Sequence, residues 1–269
     1  MTAQEKFFNK TGKGLHICVG LDTDVEKIPN HLRSGENAIL DFNKVIIENT
    51  YHAAAAYKIN FAFYEKYGAK GLKIIEETLK LIPSEVLTIA DAKRGDIGNT
   101  SKMYAQSIFD HYNFDAVTLH PYMGKDSLSP FLDYAGKLHF VLVLTSNSGA
   151  ADFEKLKLQN DKYLYQEVLD KVQLWNEKKN CGIVFGATNP EELKSNISNF
   201  SSLPVLLPGV GAQGGSLAEV VKAFRTEGNQ NFIINISRAL LYTDPGINFG
   251  KAANALLNEY NAEINSIRS

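Results

Sequence analysis

Three charged residues, Asp91, Lys93 and Asp96, lie within six positions of one another. They follow an apolar run at 86–90 that is typical of a buried β-strand. Because alternate residues of a strand share a face, Asp91 and Lys93 are predicted to point the same way. Opposite charges this close favour each other's ionised forms. The cluster is therefore either a structural salt bridge that closes a strand or the charged centre of an active site.

An ammonium group beside a fixed carboxylate suits a reaction in which charge moves at one carbon atom. The ammonium stabilises a carbanion and then donates a proton to it, while the carboxylate repels a substrate carboxylate. Lys58 adds a second cation at the end of another predicted strand, so the set alternates Lys58, Asp91, Lys93, Asp96. No serine–histidine nucleophile pattern accompanies it. His120 ends a further strand and is interpreted as a core or supporting histidine.

The elements that must position these charges repeat one unit: a short apolar run, a polar end, a loop and an amphipathic stretch. Predicted strands lie at 16–21, 54–57, 86–90, 116–120, 140–144, 182–185, 205–207 and 232–236. Eight alternating βα units imply a parallel sheet closed as a single (β/α)8 barrel, and the length of 269 residues matches that fold. An open doubly wound sheet is the alternative. We predict one domain over 1–269, with 1–14 as an N-terminal extension.

Polar side chains gather at the C-terminal ends of the predicted strands, where barrels of this type build their active sites. They are Asp22, Lys58, Asn60, Asp91, Lys93, Ser146, Gln213 and Arg238. This distribution favours a barrel with a single active face.

A glycine-rich segment at 209–215 follows the seventh strand, and Ser237 and Arg238 follow the eighth. Loops in these two places commonly bind phosphate. Backbone N–H groups without a neighbouring Cβ approach an anion closely, and an arginine grips two phosphate oxygens. The alternative is a tight turn beside a surface arginine. The segment also matches G-x-G-x-x-G, but it lies outside a first βαβ unit and has only Glu227 as a nearby downstream acid, which argues against NAD.

The composition excludes several classes of protein. A net charge of −2 does not indicate the basic surface typical of nucleic-acid-binding proteins. The longest apolar runs, such as 140–144, are too short to span a bilayer. The polar N-terminus lacks the apolar core of a signal peptide. Cys18 and Cys181 lie in apolar runs and are expected to be buried free thiols in a reducing compartment. No His/Cys spacing predicts zinc, and we expect a cytoplasmic location.

The sequence resembles the orotidine 5′-phosphate decarboxylase family. The segment 91–100 resembles that family's D-x-K-x-x-D-I-x-x-T motif throughout, and segments 20–22, 58–65, 208–215 and 237–238 also match in the family's order. The residues in these motifs are closest to those of the longer bacterial branch, often called type 2. The resemblance implies conversion of orotidine 5′-monophosphate (OMP) to UMP and carbon dioxide, the last step of de novo UMP synthesis. It implies no metal and no organic cofactor.

The resemblance also implies roles by motif position. Lys93 would donate the proton to C6 of the pyrimidine, Asp91 would sit against the substrate carboxylate, and Lys58 would orient Asp91 and hydrogen-bond the ribose. The implied binding residues are Asp22 and Asn60 for the ribose hydroxyls, Ser146 for the pyrimidine amide edge, Gln213 with Gly214 and Gly215 in a closing loop, and Ser237 and Arg238 at the phosphate. Several hydroxyls at 145–148 leave open which one meets the pyrimidine.

In that family, the residues matching Asp96, Ile97 and Thr100 reach into the neighbouring subunit's site. The resemblance therefore implies an obligate homodimer with composite sites, in which Asp96 completes the catalytic set of the partner.

Two other functions remain open at this stage. One is a sugar-phosphate decarboxylase or aldolase of the same superfamily that uses D-x-K-x-x-D with magnesium. Asp22 and Asp91 would then bind the magnesium, but Gln213 and the segment 58–60 would have no role in such an enzyme. The other is a non-catalytic nucleotide-binding or scaffold protein, which has little use for a carboxylate such as Asp91 facing an anion.

Overall fold

The computed structural model describes residues 1–200, 202–211 and 214–267. Within them, parallel strands pair in sequence order and close into a barrel, with the last strand pairing with the first. The strands are β1 (Ile17–Gly20), β2 (Ala56–Asn60), β3 (Leu87–Arg94), β4 (Ala116–Leu119), β5 (Leu138–Leu144), β6 (Cys181–Phe185), β7 (Val205–Leu207) and β8 (Phe232–Ile236). The predicted (β/α)8 barrel is confirmed, and the open sheet is not observed.

Helices on the outside of the barrel follow each strand, as the repeating unit predicts, and one further helix lies within the segment 1–14, which was predicted only as an extension. They are α1 (Ala3–Thr11), α2 (Asn30–Arg33), α3 (Ala38–Thr50), α4 (Ala62–Glu65), α5 (Ala69–Leu81), α6 (Gly98–Gln106), α7 (Lys125–Leu132), α8 (Leu164–Trp175), α9 (Pro190–Asn196), α10 (Leu217–Thr226), α11 (Arg238–Leu241) and α12 (Phe249–Ser266). A π-helical turn at Ser107–His111 continues α6. None of the helices in the described residues is long and apolar enough to cross a membrane.

Apolar side chains pack on both sides of the strands. One cluster fills the barrel and includes Cys18, Ala56, Ile89, Phe140 and Ile233. The other lies between strands and helices and includes Val19, Tyr57, Ala90, Phe42 and Val221. Since strand residues alternate between these two faces, Lys58 continues the interior column of Ala56, and Asp91 continues that of Ile89. The barrel interior therefore changes from apolar to charged towards the carboxyl ends of the strands.

The N-terminal segment packs onto the barrel. Thr2 and Glu5 form a reciprocal capping box at the start of α1. Phe7 is buried in the same cluster that fills the barrel. Lys6 Nζ lies 2.8 Å from Asp115, just before β4, so α1 covers the amino ends of the strands. The Thr2-x-x-Glu5 pattern was the sequence signal for this helix.

Candidate active site

Lys58, Asp91 and Lys93 meet at the carboxyl ends of β2 and β3. The buried Lys58 Nζ lies 2.8 Å from Asp91 Oδ2 and 3.5 Å from Oδ1 of Asp22. Lys93 Nζ lies 2.6 Å from Asp91 Oδ1, and 51% of its side chain is exposed. The Asp91 carboxylate is thus held between two ammonium groups, one enclosed and one open to the mouth of the barrel.

Burial and charge act in opposite directions on this cluster. Burial of Asp91 opposes ionisation, but the charges of Lys58 and Lys93 and their hydrogen bonds outweigh it and hold the pKa of Asp91 well below its usual range. Burial of Lys58 opposes protonation, but Asp22 and Asp91 outweigh it and hold the pKa of Lys58 above its usual range. At neutral pH the buried pair is therefore an ammonium and a carboxylate, and neither group is poised to transfer a proton.

The backbone of Lys93 departs from regular strand geometry. Its φ is +45°, in the left-handed region that is uncommon for residues other than glycine. The pairing of β3 with β4 shifts register between Ala90 and Arg94. This irregularity places the lysine beside Asp91.

Thr118 on β4 joins the cluster, although sequence reasoning did not single it out. Its hydroxyl accepts a hydrogen bond from the backbone N–H of Lys93 at 3.0 Å and donates one to Asp91 Oδ1 at 3.0 Å. Its side chain is buried. The available signal was alternation, because Thr118 shares a strand face with the buried Ala116 and with His120.

Asp96, Ile97 and Thr100 stay outside this cluster. The Asp96 carboxylate accepts a hydrogen bond from the backbone N–H of Ile97 at 2.8 Å. Ile97 is 60% exposed, and Thr100 is exposed on α6. The segment 91–100 thus divides into a part that faces its own barrel and a part that does not join it.

His120 supports the loop that leads to Asp96. A Cβ added to Gly95 would lie 2.7 Å from the carbonyl oxygen of His120 and 2.8 Å from its Nε2. This contact requires glycine at position 95 and agrees with the prediction that His120 is a supporting residue.

Asp22 and Asn60 flank Lys58 at the ends of β1 and β2. One carboxylate oxygen of Asp22 is buried without a hydrogen-bond partner among the described residues. Asn60 pairs in register with Asp91, and its side-chain oxygen accepts a hydrogen bond from the N–H of Ala62 at 3.2 Å. Both predicted ribose residues therefore lie next to the charged cluster.

A hydrogen-bonded frame fixes Ser146 at the end of β5. Glu154 accepts hydrogen bonds from the N–H of Thr145 at 2.7 Å and from its hydroxyl at 2.9 Å. The Thr188 hydroxyl donates to the Ser146 carbonyl at 3.0 Å. Asn189, which precedes α9, makes no side-chain cap bond to that helix, and its side-chain amide donates to the Thr145 carbonyl at 3.1 Å.

The glycine-rich loop after β7 bonds to itself. The N–H of Gly215 donates to Gly209 O at 3.0 Å, that of Gly214 to Gly211 O at 2.8 Å, and that of Gly211 to Gly215 O at 2.9 Å. Gly209, Gly211 and Gly214 all have positive φ. Three of these N–H groups are therefore already paired within the loop, so an anion would meet them only after these bonds open, and the predicted anion contact stays a prediction.

The remaining predicted phosphate residues lie near this loop or outside the described residues. Arg238 is exposed and begins the short helix α11. The hydroxyl of Ser237, which precedes it, is buried without a hydrogen-bond partner in the described part of the chain. Gln213 lies outside the described residues.

Neither cysteine is part of the charged cluster. Cys18 and Cys181 are free and buried, and burial raises the pKa of each thiol to about 12. Across residues 1–200, 202–211 and 214–267, no group of three or more His, Cys, Asp or Glu side chains is arranged to hold a metal ion.

A family model described as orotidine 5′-phosphate decarboxylase / HUMPS family matches residues 15–247. The chain belongs to this family. Among curated relatives, the orotidine 5′-phosphate decarboxylase of Dehalococcoides mccartyi strain CBDB1 is 45% identical over 255 residues, covering 94% of this chain and 93% of the relative. That of Christiangramia forsetii is 44% identical and covers 99% of this chain and 100% of the relative.

Solved structures of the orotidine 5′-phosphate decarboxylase family share the barrel. OMP decarboxylase of Leishmania donovani matches with a TM-score of 0.84 and 38% identity, covering 99% of this chain and 100% of that chain. UMP synthase of the same organism matches with a TM-score of 0.86 and 39% identity. The match covers 97% of this chain and 55% of that longer chain.

Proposed function

We propose that this chain decarboxylates OMP to UMP and carbon dioxide, in UMP biosynthesis, without a metal or an organic cofactor. The observation that carries the proposal is the Asp91 carboxylate held between Lys58 and Lys93 at the mouth of the barrel. Full-length relatives at about 45% identity that bear the decarboxylase name support it.

In the proposed reaction, the bond between C6 and the carboxylate carbon breaks and carbon dioxide leaves. The electron pair remains at C6, and the Lys93 ammonium donates the proton that forms the new C6–H bond. Asp91 stays ionised because the lysine charges hold its pKa down, so its charge disfavours the substrate carboxylate and favours its departure. Lys93 then recovers a proton from solvent, to which half of its side chain is exposed.

Lys58 serves as a fixed counter-charge. It is buried, and its two carboxylate neighbours hold it protonated, so it orients Asp91 without donating its own proton. In the proposed complex it also hydrogen-bonds the ribose. Asp22 and Asn60 bind the ribose hydroxyls. Oδ1 of Asp22 supports this role, because it is buried and makes no hydrogen bond among the described residues, with only the ion pair to Lys58 Nζ at 3.5 Å, so a ribose hydroxyl would supply the donor it lacks.

The substrate's two ends are assigned to loops that follow different strands at the barrel mouth. Ser146 meets the pyrimidine amide edge, and the pairing of the Thr145 hydroxyl with Glu154 supports Ser146 over Thr145 in this role. Arg238, with Ser237, binds the phosphate. Gln213, Gly214 and Gly215 close over the ligand, and binding energy from the phosphate is used at the distant ring.

We further propose that the active form is a homodimer with shared sites. Asp96, Ile97 and Thr100 would reach the partner's site, and their absence from their own chain's cluster supports this. Ile97, which precedes α6, is exposed, and so are two large apolar side chains of that helix, Met103 and Tyr104. Several exposed apolar side chains in one segment are typical of a protein–protein contact.

The same proposal includes one domain over 1–269, a cytoplasmic location and no nucleic-acid or membrane partner. The packing of α1 and α12 against the barrel supports a single domain. Two buried free thiols suit a reducing compartment.

The direct experiment follows the ultraviolet absorbance of OMP with purified protein in the presence of a chelator. Loss of the OMP absorbance with formation of UMP is the expected result. Turnover that requires added magnesium would favour a metal-dependent member of the superfamily instead. Tight binding of OMP without conversion would indicate a nucleotide-binding protein.

Shared sites are tested by mixing two inactive variants, Lys93→Ala and Asp96→Asn. Random exchange of subunits places both substitutions in one site of each mixed dimer and leaves the other site intact. Activity should therefore rise to about a quarter of the wild-type value. A mixture as inactive as its components, once exchange is shown by mass, would contradict composite sites.

A further inference from the structure

The hydroxyl of Thr118 is hydrogen-bonded to both members of the proposed catalytic pair at once. It donates its single hydrogen to Asp91 Oδ1 at 3.0 Å and accepts the backbone N–H of Lys93 at 3.0 Å. Only 2% of the residue is exposed. A hydroxyl can donate one hydrogen bond and accept another at the same time. Thr118 on β4 therefore links the side chain of Asp91 to the backbone of Lys93, both of which lie on β3.

The Lys93 bond acts on a strained segment. With φ at +45°, Lys93 occupies a backbone region that costs free energy for a residue with a Cβ and persists only when its surroundings hold it. The register between β3 and β4 shifts at this point, so regular ladder bonds do not fix it. The Thr118 hydroxyl accepts the hydrogen bond of the Lys93 N–H, which the register shift leaves without a ladder partner.

The Asp91 bond fixes the direction of the carboxylate. Oδ1 is the oxygen that faces Lys93 Nζ at 2.6 Å, and Oδ2 faces Lys58 at 2.8 Å. A hydrogen bond to an ionised acceptor is stronger than one between neutral groups. Rotation of the carboxylate would therefore break the bond from Thr118 and change the distance to Lys93 Nζ.

We propose that Thr118 is a positioning residue for decarboxylation, which sets the placement of the Lys93 ammonium relative to the Asp91 carboxylate. This inference rests on the proposed function, in which these two residues act on the substrate. Thr118 acts through them, because its hydroxyl gives its single hydrogen to Asp91 and accepts the Lys93 N–H. A small misplacement of reacting groups costs a large factor in rate, so the effect falls on turnover more than on binding.

A structural role alone would predict something different, and the chain contains a control for it. Thr88 on β3 is also buried, and its hydroxyl donates to Asp115 Oδ2 at 3.0 Å and accepts the Asp115 N–H at 3.0 Å. The bonding pattern resembles that of Thr118, but it lies at the opposite end of the barrel. Thr88→Val is therefore matched to Thr118→Val in chemistry and burial, and it differs in distance from the lysines.

The test measures kcat, KM, UMP affinity and thermal midpoint for Thr118→Val, Thr118→Ser and Thr88→Val. Thr118→Val should lower kcat by about ten- to a hundredfold, as expected for lost hydrogen bonds to a charged group. KM and UMP affinity should change by less than about threefold. Thr118→Ser, which keeps the hydroxyl, should restore most of kcat. Thr88→Val should lower the thermal midpoint and leave kcat unchanged.

Three outcomes would overturn the positioning role: a Thr118→Val variant with normal kcat, a serine variant as impaired as the valine variant, or an equal loss of kcat in Thr88→Val. If Thr118→Val does not fold, Thr118→Ala removes the same hydroxyl with less steric demand and is judged by the same criteria. Lys93→Ala separates the two levels of inference. Normal turnover by Lys93→Ala refutes the proposed chemistry, whereas inactive Lys93→Ala with normal Thr118→Val refutes only the role of Thr118.

Discussion

The barrel has a largely enclosed aspartate with lysine and threonine partners at each end. At the amino end, Asp115 receives Lys6 Nζ at 2.8 Å and both the N–H and the hydroxyl of Thr88, at 2.9 and 3.0 Å. At the carboxyl end, Asp91 receives two lysines and the hydroxyl of Thr118. The two clusters use the same residue types and similar distances.

They differ in what they leave open. Lys6 and Asp115 retain only 11% and 14% side-chain exposure and bind α1 to the barrel. At the carboxyl end, 51% of the Lys93 side chain is exposed, and Oδ1 of Asp22 makes no hydrogen bond among the described residues, with Lys58 Nζ 3.5 Å away. A closed set of bonds stabilises a fold, whereas an exposed ammonium and an acceptor without a hydrogen bond provide places for a ligand. Residue types alone do not make this distinction.

The largest expected effect separates the two lysines. Lys93→Ala should lower kcat by at least about a hundredfold, because it removes the proposed proton donor, and leave UMP binding and the thermal midpoint nearly unchanged. Lys6→Ala should do the reverse, lowering the thermal midpoint without changing kcat, since it leaves Asp115 partly unpaired. Steady-state kinetics and thermal unfolding of both variants measure this. Near-normal turnover by Lys93→Ala would remove the functional difference between the two ends.

Two arginines extend the comparison to substrate binding. Arg238→Ala at the carboxyl end should raise KM for OMP by about ten- to a hundredfold, the range for charged hydrogen bonds to a phosphate. Arg225, in the last turn of α10, donates to the carbonyl of Ile264 at 3.0 Å and serves as the control. Arg225→Ala should leave KM unchanged. An unchanged kcat/KM in Arg238→Ala would show that the phosphate lies elsewhere.

The depressed pKa of Asp91 predicts a dependence of stability on pH. The unfolded chain binds a proton at this carboxyl near pH 4, whereas the folded chain resists it. The carboxylate therefore stabilises the fold above about pH 4, and that contribution is lost as pH falls towards the folded pKa. Urea unfolding at several pH values should show the stability difference between wild type and Asp91→Asn shifting against the wild type below about pH 4. A difference that stays constant with pH would contradict the depressed pKa.

The smallest effect concerns two glycines at opposite ends. Gly95→Ala should cost about 1–2 kcal/mol of unfolding free energy, because the added Cβ would press on the carbonyl of His120. It should also lower kcat, since the loop carries Asp96. Gly136, before β5, has nothing within 4 Å of an added Cβ, so Gly136→Ala should be neutral or slightly stabilising. Equal stabilities of the two variants would show that the His120 contact is loose.

The strands and their polar ends were predictable because their signals are local. Apolar runs of three to six residues marked each strand, and alternation placed Asp91 and Lys93 on one face. The barrel arrangement placed Lys58 on the same face as Asp91, and the motif match supplied the pairing of the two residues and their roles.

Other features depend on contacts that a local pattern does not contain. The hydrogen bond between Thr118 and Lys93 requires the register shift after Ala90. No residue type in the sequence predicts that shift. Glu154 reaches Thr145 only because the connection after β5 folds back. The hydrogen bonds within 209–215 could not be told from anion-binding geometry, because glycines permit both.

The helix at the N-terminus has a consequence for water. Phe7 and Ala3 pack against the apolar interior of the barrel, so solvent does not enter from the amino ends of the strands. The charged side chains at the carboxyl ends therefore lie next to the apolar barrel interior, where their interactions are screened less than in bulk water. With the amino ends covered, water approaches the charged cluster from the carboxyl ends of the strands, which is the side a substrate would use. Under the proposed function, a bound substrate would then compete with water for the same entrance, and α1 would help to keep water from the reacting carbon.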